Sequence, residues 1–186
     1  MEDIVGGLLV IFSSLASAAE TYKLDPAHTS IVFRVKHLGV AYVYGRFNGP
    51  SGTFVFDETS PSKSAIEMQA ETNNVDTAVE KRDTHLKSPD FFNTGEYPTV
   101  SFKSKSVKKL NEVVYEVSGD LTLLGRTRPI TVEVNATGAA KDPWGDFRRG
   151  FETSFSINRS DFGMTFMMGG VSDEVNLIVS VEGIRQ

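Results

Sequence analysis

The chain has 186 residues, the size of one all-β domain, and its 40% hydrophobic and 23% charged residues exclude a disordered polymer. A net charge of −5 without a concentrated basic run excludes a nucleic-acid partner, and the absence of cysteine excludes disulfides, Cys-ligated zinc and thiol catalysis. At the N-terminus, Ile4 to Leu15 is apolar and is followed by Ala16-Ser17-Ala18, an A-x-A cleavage pattern. Residues 1–18 therefore read as a secretory signal peptide and 19–186 as the mature domain, although Met1-Glu2-Asp3 is acidic where a signal is usually basic. The stretch is short for a bilayer anchor, so no stable membrane insertion is expected.

From there on a two-residue rhythm dominates. Tyr22–Asp25 and Thr29–His37 read as a strand pair, or as one strand bent at Pro26, with Ile31, Phe33 and Val35 on the dry face. Tyr44–Asp57 reads as a long strand interrupted at Gly49-Pro50, with Phe54 and Phe56 resuming the apolar phase. Ile66, Met68 and Ala70 alternate with Glu67, Gln69 and Glu71. The period then changes once: Val79 and Leu86 are spaced for a helix, Asp76 is a candidate N-cap and Pro89 a stop, giving one short helical excursion near 76–88. Alternation resumes through Val100 and Phe102, then through the strands around Tyr115 and Ile130, joined by a turn at Gly125-Arg126-Thr127. Phe147, Phe151, Phe155 and Ile157 share a face, and Val175, Leu177, Val179 and Val181 form the last strand.

About eight strands, wet on one face and dry on the other, predict a single antiparallel β-barrel. An integral outer-membrane barrel shows the same rhythm with its faces exchanged, but Glu67, Glu71, Glu112, Glu116 and Glu133 load the polar phase too heavily for a narrow lumen. An enzyme needs polar groups converging inside the barrel, and the apolar phase offers almost none. The three histidines, His28, His37 and His85, match no metal motif, so neither metal nor cofactor is expected. Thirteen phenylalanines against one tryptophan give a large interior without polar tips. Composition by itself slightly favours a filled core. Ser160–Gly170, with Phe162, Met164, Phe166, Met167 and Met168 among glycines, suits equally a plug at one barrel end and an adaptable ligand contact.

Several strings carry a resemblance: LDPAHTSIVFRVKHLG (24–39), YGRFNGPSGTFVFD (44–57), KRDTHLKSPDFFNTGEYPTVSFKS (81–104), GDLTLLGRTRPITVEV (119–134) and FETSFSINRSDFGM (151–164). From about Tyr22 to the C-terminus the chain resembles the YceI-like family, the polyisoprenoid-binding periplasmic proteins. The resemblance implies a lipocalin-like barrel, an apolar tunnel holding a long isoprenoid or fatty-acyl chain, and a periplasmic location, and it favours an open cavity over a filled one. On that basis Phe33, Val35, Phe54, Phe56, Met68, Phe102, Tyr115, Leu121, Phe155, Met164 and Phe166 are expected to line the tunnel. Arg34, Arg46, Arg82, His85 and Arg159 are the candidates for holding a polar head, with Arg82 and His85 also suited to tethering the helix. The expected partner is the lipid; a homodimer is left open.

Overall fold

The structure, a computed structural model, describes residues 19–186, so the signal-peptide assignment lies outside the described residues. Eleven strands follow one another: β1 (Glu20–Leu24), β2 (Ser30–His37), β3 (Ala41–Phe47), β4 (Ser51–Phe56), β5 (Ala65–Glu71), β6 (Val75–Asp76), β7 (Thr99–Lys109), β8 (Val114–Leu123), β9 (Arg126–Lys141), β10 (Phe147–Asn158) and β11 (Val171–Arg185). One helix, α1 (Glu80–Leu86), lies between β6 and β7. β1 and β2 pair with successive lengths of the same β11, so they are one strand bent at the Asp25–Thr29 corner. β3 and β4, which pair with β2 and β1 in turn, are a second strand bent at Gly49-Pro50. β5 and β6 make a third, broken by a 3₁₀ turn at Thr72–Asn74. With β7 to β11 these close an eight-strand antiparallel barrel.

The apolar phase faces inward. Met68, Ala70, Tyr115, Val117, Leu121, Val132, Phe151 and Val181 are buried in one cluster, while Glu67 and Lys103 pair at 3.1 Å and Lys105 and Asp120 at 2.7 Å on the exposed outer wall. This is the reverse of a barrel that faces lipid. The described residues contain no helix long and apolar enough to cross a membrane.

Three local expectations are corrected. The helix is confined to Glu80–Leu86, because Asp76 belongs to β6 and its carboxylate accepts from the Ala78 N–H, turning the chain through a positive φ at Ala78. Asp83 reaches back instead and accepts from the Thr77 N–H at 2.9 Å. The β8–β9 turn is Leu124-Gly125, with Arg126 and Thr127 already in β9.

The β1–β2 corner is fixed by one guanidinium. Arg148 of β10 donates to Asp25 at 2.7 Å, to Glu182 of β11 at 2.6 Å and to Asp142 of the β9–β10 hairpin at 2.8 Å. The His28 ring lies 2.7 Å from Asp25. Hydrogen bonds from His28 and then Arg148 hold the Asp25 carboxyl at about 2 against an ordinary 3.8. A depressed carboxyl contributes stability that is present above its ordinary value and is lost as pH falls toward its folded one. Asp25→Asn is therefore expected to lower stability by about 1–2 kcal/mol at neutral pH after allowance for solvent screening. Urea unfolding should show the gap to wild type closing as pH approaches 2. The Asp25 bond also raises the His28 pKa, so the part of stability carried by its charge is present in mild acid and fades as pH rises through that raised value.

Candidate functional site

Two groups of rings stand at different heights in the barrel. In the first, Tyr22 stacks on Phe54 at 4.7 Å, and Phe151 meets Phe54 at 5.5 Å and Phe56 at 5.3 Å, with Tyr115 5.5 Å from Phe56. In the second, Phe92 from the segment after α1 meets Phe47 at 5.3 Å and Phe33 at 6.4 Å. Between them lies a cavity of about 170 Å³ walled almost wholly by hydrocarbon and aromatic groups, among them Phe54, Met68, Phe102, Leu121, Val132, Phe155 and Val179. Val100, Phe102, Ile130, Val134, Phe155, Leu177 and Val179 belong to the inward phase, line this cavity and yet are only half-buried. Close packing normally removes such exposure, so the interior is under-filled.

A phenylalanine-rich barrel stays open because some of its rings lie on its own wall. A Cβ built on Gly183 of β11 falls 2.4 Å from the Phe54 ring and 2.8 Å from the Tyr22 Cβ, and one on Gly119 of β8 falls 2.6 Å from the Phe102 ring. Each ring occupies the space a wall side chain would otherwise fill. Gly183→Ala should lift the Phe54 ring into the bore, at a cost of about 1–3 kcal/mol in thermal unfolding. Uptake of a fatty-acyl probe, measured alongside, should fall several-fold; unchanged uptake would place the ring outside the ligand's path.

The barrel wall has a seam. The β9–β10 ladder runs from Lys141/Phe147 to Asn135/Glu152, and among the described residues no ladder pairing joins the rest of the two strands. Just past that point the Thr153 hydroxyl donates to the Glu133 carbonyl at 2.7 Å. Pro129, which has no N–H to donate, sits in the length of β9 that pairs with β8 but not with β10. A cleft opens there, lined by Arg128, Ser156, Asn158, Asp161 and Glu174 together with Ile130, Ile157 and Phe162. Ile130 borders both cleft and bore, so the polar cleft adjoins the apolar interior.

Of the residues expected in the tunnel, Phe54, Phe56, Met68, Phe102, Tyr115, Leu121 and Phe155 border the cavity. Phe33 lies in the second ring group, Val35 is half-buried further along β2, and Met164 is buried beside Arg159, all off the cavity wall. Phe166 is 38% exposed and packs edge-on to His85 and Phe91 at 5.4 Å. The Ser160–Gly170 segment thus divides, with Phe162 and Met164 buried and Phe166, Met167 and Met168 outside.

None of the five head-group candidates reaches the bore. Arg34 and Arg46 are on the outer face of the β2–β3 hairpin, with Arg34 4.4 Å above the Tyr42 ring. Arg82 donates to the Thr77 hydroxyl at 2.7 Å and its carbonyl at 2.8 Å, tethering α1, and His85 pairs with Asp90 at 2.8 Å. Arg159 is 2% exposed and spends its donors on the carbonyls of Ser172, Met164 and Val171 at 2.9, 3.0 and 3.1 Å. Two other cations adjoin the interior: Arg128, whose Nε donates to the Asp161 carbonyl at 3.1 Å at the cleft, and Arg149, which lies 4.4 Å from the Phe56 ring in the first ring group. Only the neighbouring proline marked that stretch of β9 in the sequence.

The YceI-like domain model matches residues 22–183. A UPF0312 protein of Pseudomonas paraeruginosa is 44% identical over 178 residues, covering 95% of this chain and 93% of the relative. The crystal structure of a YceI protein from Campylobacter jejuni superposes with a TM-score of 0.73 at 30% identity, covering 81% of this chain and 90% of that one. A polyisoprenoid binding domain from Saccharophagus degradans shares the fold, with a TM-score of 0.69 at 16% identity over 89% of this chain and 98% of the other. Closed eight-strand barrel, apolar interior and a sequence match across nearly all of the described residues agree: the chain belongs to the YceI-like family.

Proposed function

We propose that this protein is a periplasmic carrier that holds the hydrocarbon tail of an isoprenoid or fatty-acyl lipid in the bore and leaves its polar head at the β9–β10 cleft beside Arg128. The observation that carries this reading is the half-buried inward ring of Phe102, Ile130, Phe155, Leu177 and Val179, apolar surface that the protein itself does not cover. The polyisoprenoid binding domain of the same fold supports the ligand class. The bore side chains have little capacity for proton transfer or nucleophilic attack, which supports binding over catalysis.

Magnitudes favour a long tail. Each buried CH₂ gains roughly 0.8 kcal/mol, so about ten give 8 kcal/mol, in the range of the roughly 4–15 kcal/mol lost in immobilising the ligand. Affinity should therefore climb with chain length until the bore is full. Native mass spectrometry of protein isolated from cells, followed by solvent extraction, is expected to release a long-chain lipid. Ligand-free protein that takes up neither polyprenyl nor fatty-acyl probes would contradict the proposal.

A further inference from the structure

We propose that the tip of the β2–β3 hairpin, together with the Phe166–Met168 turn, docks this protein on the surface of an anionic lipid bilayer. Of the described residues, Leu38 (61% exposed), Val40 (83%), Tyr42, Tyr44, Phe166, Met167 and Met168 are large apolar or aromatic groups left in solvent at this one corner. The two tips touch: the Leu38 N–H donates to the Gly170 carbonyl at 2.8 Å, and Val171 pairs with His37. Both present apolar side chains on backbone that disfavours them. Leu38 and Gly39 are the central residues of the tip turn closed by the Val40 N–H on the His37 carbonyl, with φ of 50° and 68°, and Met167 has φ of 53°. Asn, Asp or Gly relieves such a position, so a bulky apolar residue needs a compensating contact.

An internal comparison shows what that compensation looks like. Leu124-Gly125 closes the β8–β9 hairpin with nearly the same angles, 51° and 66°, and there Leu124 packs against the core. Leu38 and Met167 have no such cover. The missing contact lies outside the described chain.

Charge indicates what supplies it. Although the chain carries a net charge of −5, no acidic residue occurs between Asp25 and Asp57. The outer face of the hairpin holds Arg34, Lys36 and Arg46, and Tyr42 and Tyr44 stand across from Lys36 and Arg34 in the ladder. Carboxylates from neighbouring elements stand at its margin: Asp76 beside Arg46, Glu174 beside Arg34, and Asp90, paired with the His85 ring that packs on Phe166. Apolar tips, backed by a belt in which Tyr42 and Tyr44 stand level with Lys36 and Arg34, match the environments met on approaching anionic headgroups. A protein partner matching the tips alone does not account for the belt.

The docking surface is separate from the bore, and flotation with vesicles tests it on protein as purified from cells. Wild type should bind phosphatidylglycerol vesicles, bind phosphatidylcholine vesicles much less, and lose binding as salt rises. The combined variant Leu38→Asn, Val40→Ser, Met167→Asn and Met168→Ser should bind at least about tenfold less. Its new Asn-Gly turn suits the hairpin, so thermal unfolding and uptake of a detergent-dispersed fatty-acyl probe should remain at wild-type levels. Arg34→Gln with Lys36→Gln should also weaken binding by roughly tenfold and flatten the salt response. The proposal fails if wild type does not float, if the tip variant floats equally, or if the variant merely converts a dimer to a monomer. Protein that floats but takes up no probe refutes the carrier reading alone; protein that takes up probe but does not float refutes only the docking.

Discussion

Phe155→Asp is expected to reduce uptake of a polyprenyl or fatty-acyl probe at least a hundredfold at neutral pH, while Glu67→Lys on the outer wall leaves it within about twofold. Phe155 is on the inward phase of β10, opposite Leu177 of β11, and borders the cavity. Because the site is under-filled, water can hydrate the new carboxylate and the barrel survives. A hydrocarbon tail entering the bore must strip that water, which costs roughly 3 kcal/mol or more, and each 1.4 kcal/mol is a factor of ten. Burial beside apolar groups raises the pKa of such a carboxyl, so uptake should partly recover in acid as the group becomes neutral. Fluorescence titration across pH reads both effects, and equal losses in the two variants would mean that the faces of β10 are reversed.

Arg159→Met should cost about 3–5 kcal/mol of stability in urea unfolding without removing a ligand contact. The guanidinium gathers the Met164, Val171 and Ser172 carbonyls, and beside it Ser160 bonds Asp173 through its N–H at 2.9 Å and its hydroxyl at 2.7 Å. Those bonds from Ser160 hold the Asp173 carboxyl below the usual range. Removing the cation takes the guanidinium donor from one buried and two partly buried carbonyls and releases the chain between β10 and β11. Arg159→Lys should recover little of the loss, since an ammonium cannot span the three carbonyls as a planar fork does. A variant of near-normal stability with impaired uptake would instead return Arg159 to a head-group role.

The fold was legible in the sequence because it rests on a local signal: side chains alternate across a strand whatever its partners, so Met68, Tyr115, Leu121 and Phe155 declared their face before their neighbours were known. Pro26 and Gly49-Pro50 marked bends for the same reason, since proline cannot supply a ladder N–H. The helix start was misread because Asp76 caps a turn as readily as a helix, and the positive φ of Ala78 that separates the two is not written in its residue type. In the site, alternation fixes the face and says nothing of height along the barrel. Phe33 and Val35 share a phase with Ile31, yet only Ile31 lies low enough on β2 to border the cavity.

The cations failed for a different reason. Arg159 stands one residue past β10 and looks free in sequence, but its partners are main-chain carbonyls, which no composition reveals. The seam was illegible because pairing is a property of two strands: β9 alternates cleanly through Ile130, Val132 and Val134 whether or not β10 is bonded to it.

An open bore is tested most directly by filling it. Val179, half-buried and inward on β11, faces the cavity. Substituting Val179→Trp and measuring urea unfolding and probe uptake on the same preparation distinguishes empty space from packed core. With an open bore, uptake falls more than about tenfold while stability changes by about 0.5 kcal/mol or less, because the indole enters a void. A loss of about 1–3 kcal/mol with uptake unchanged would show that the interior was already full and that any lipid binds elsewhere.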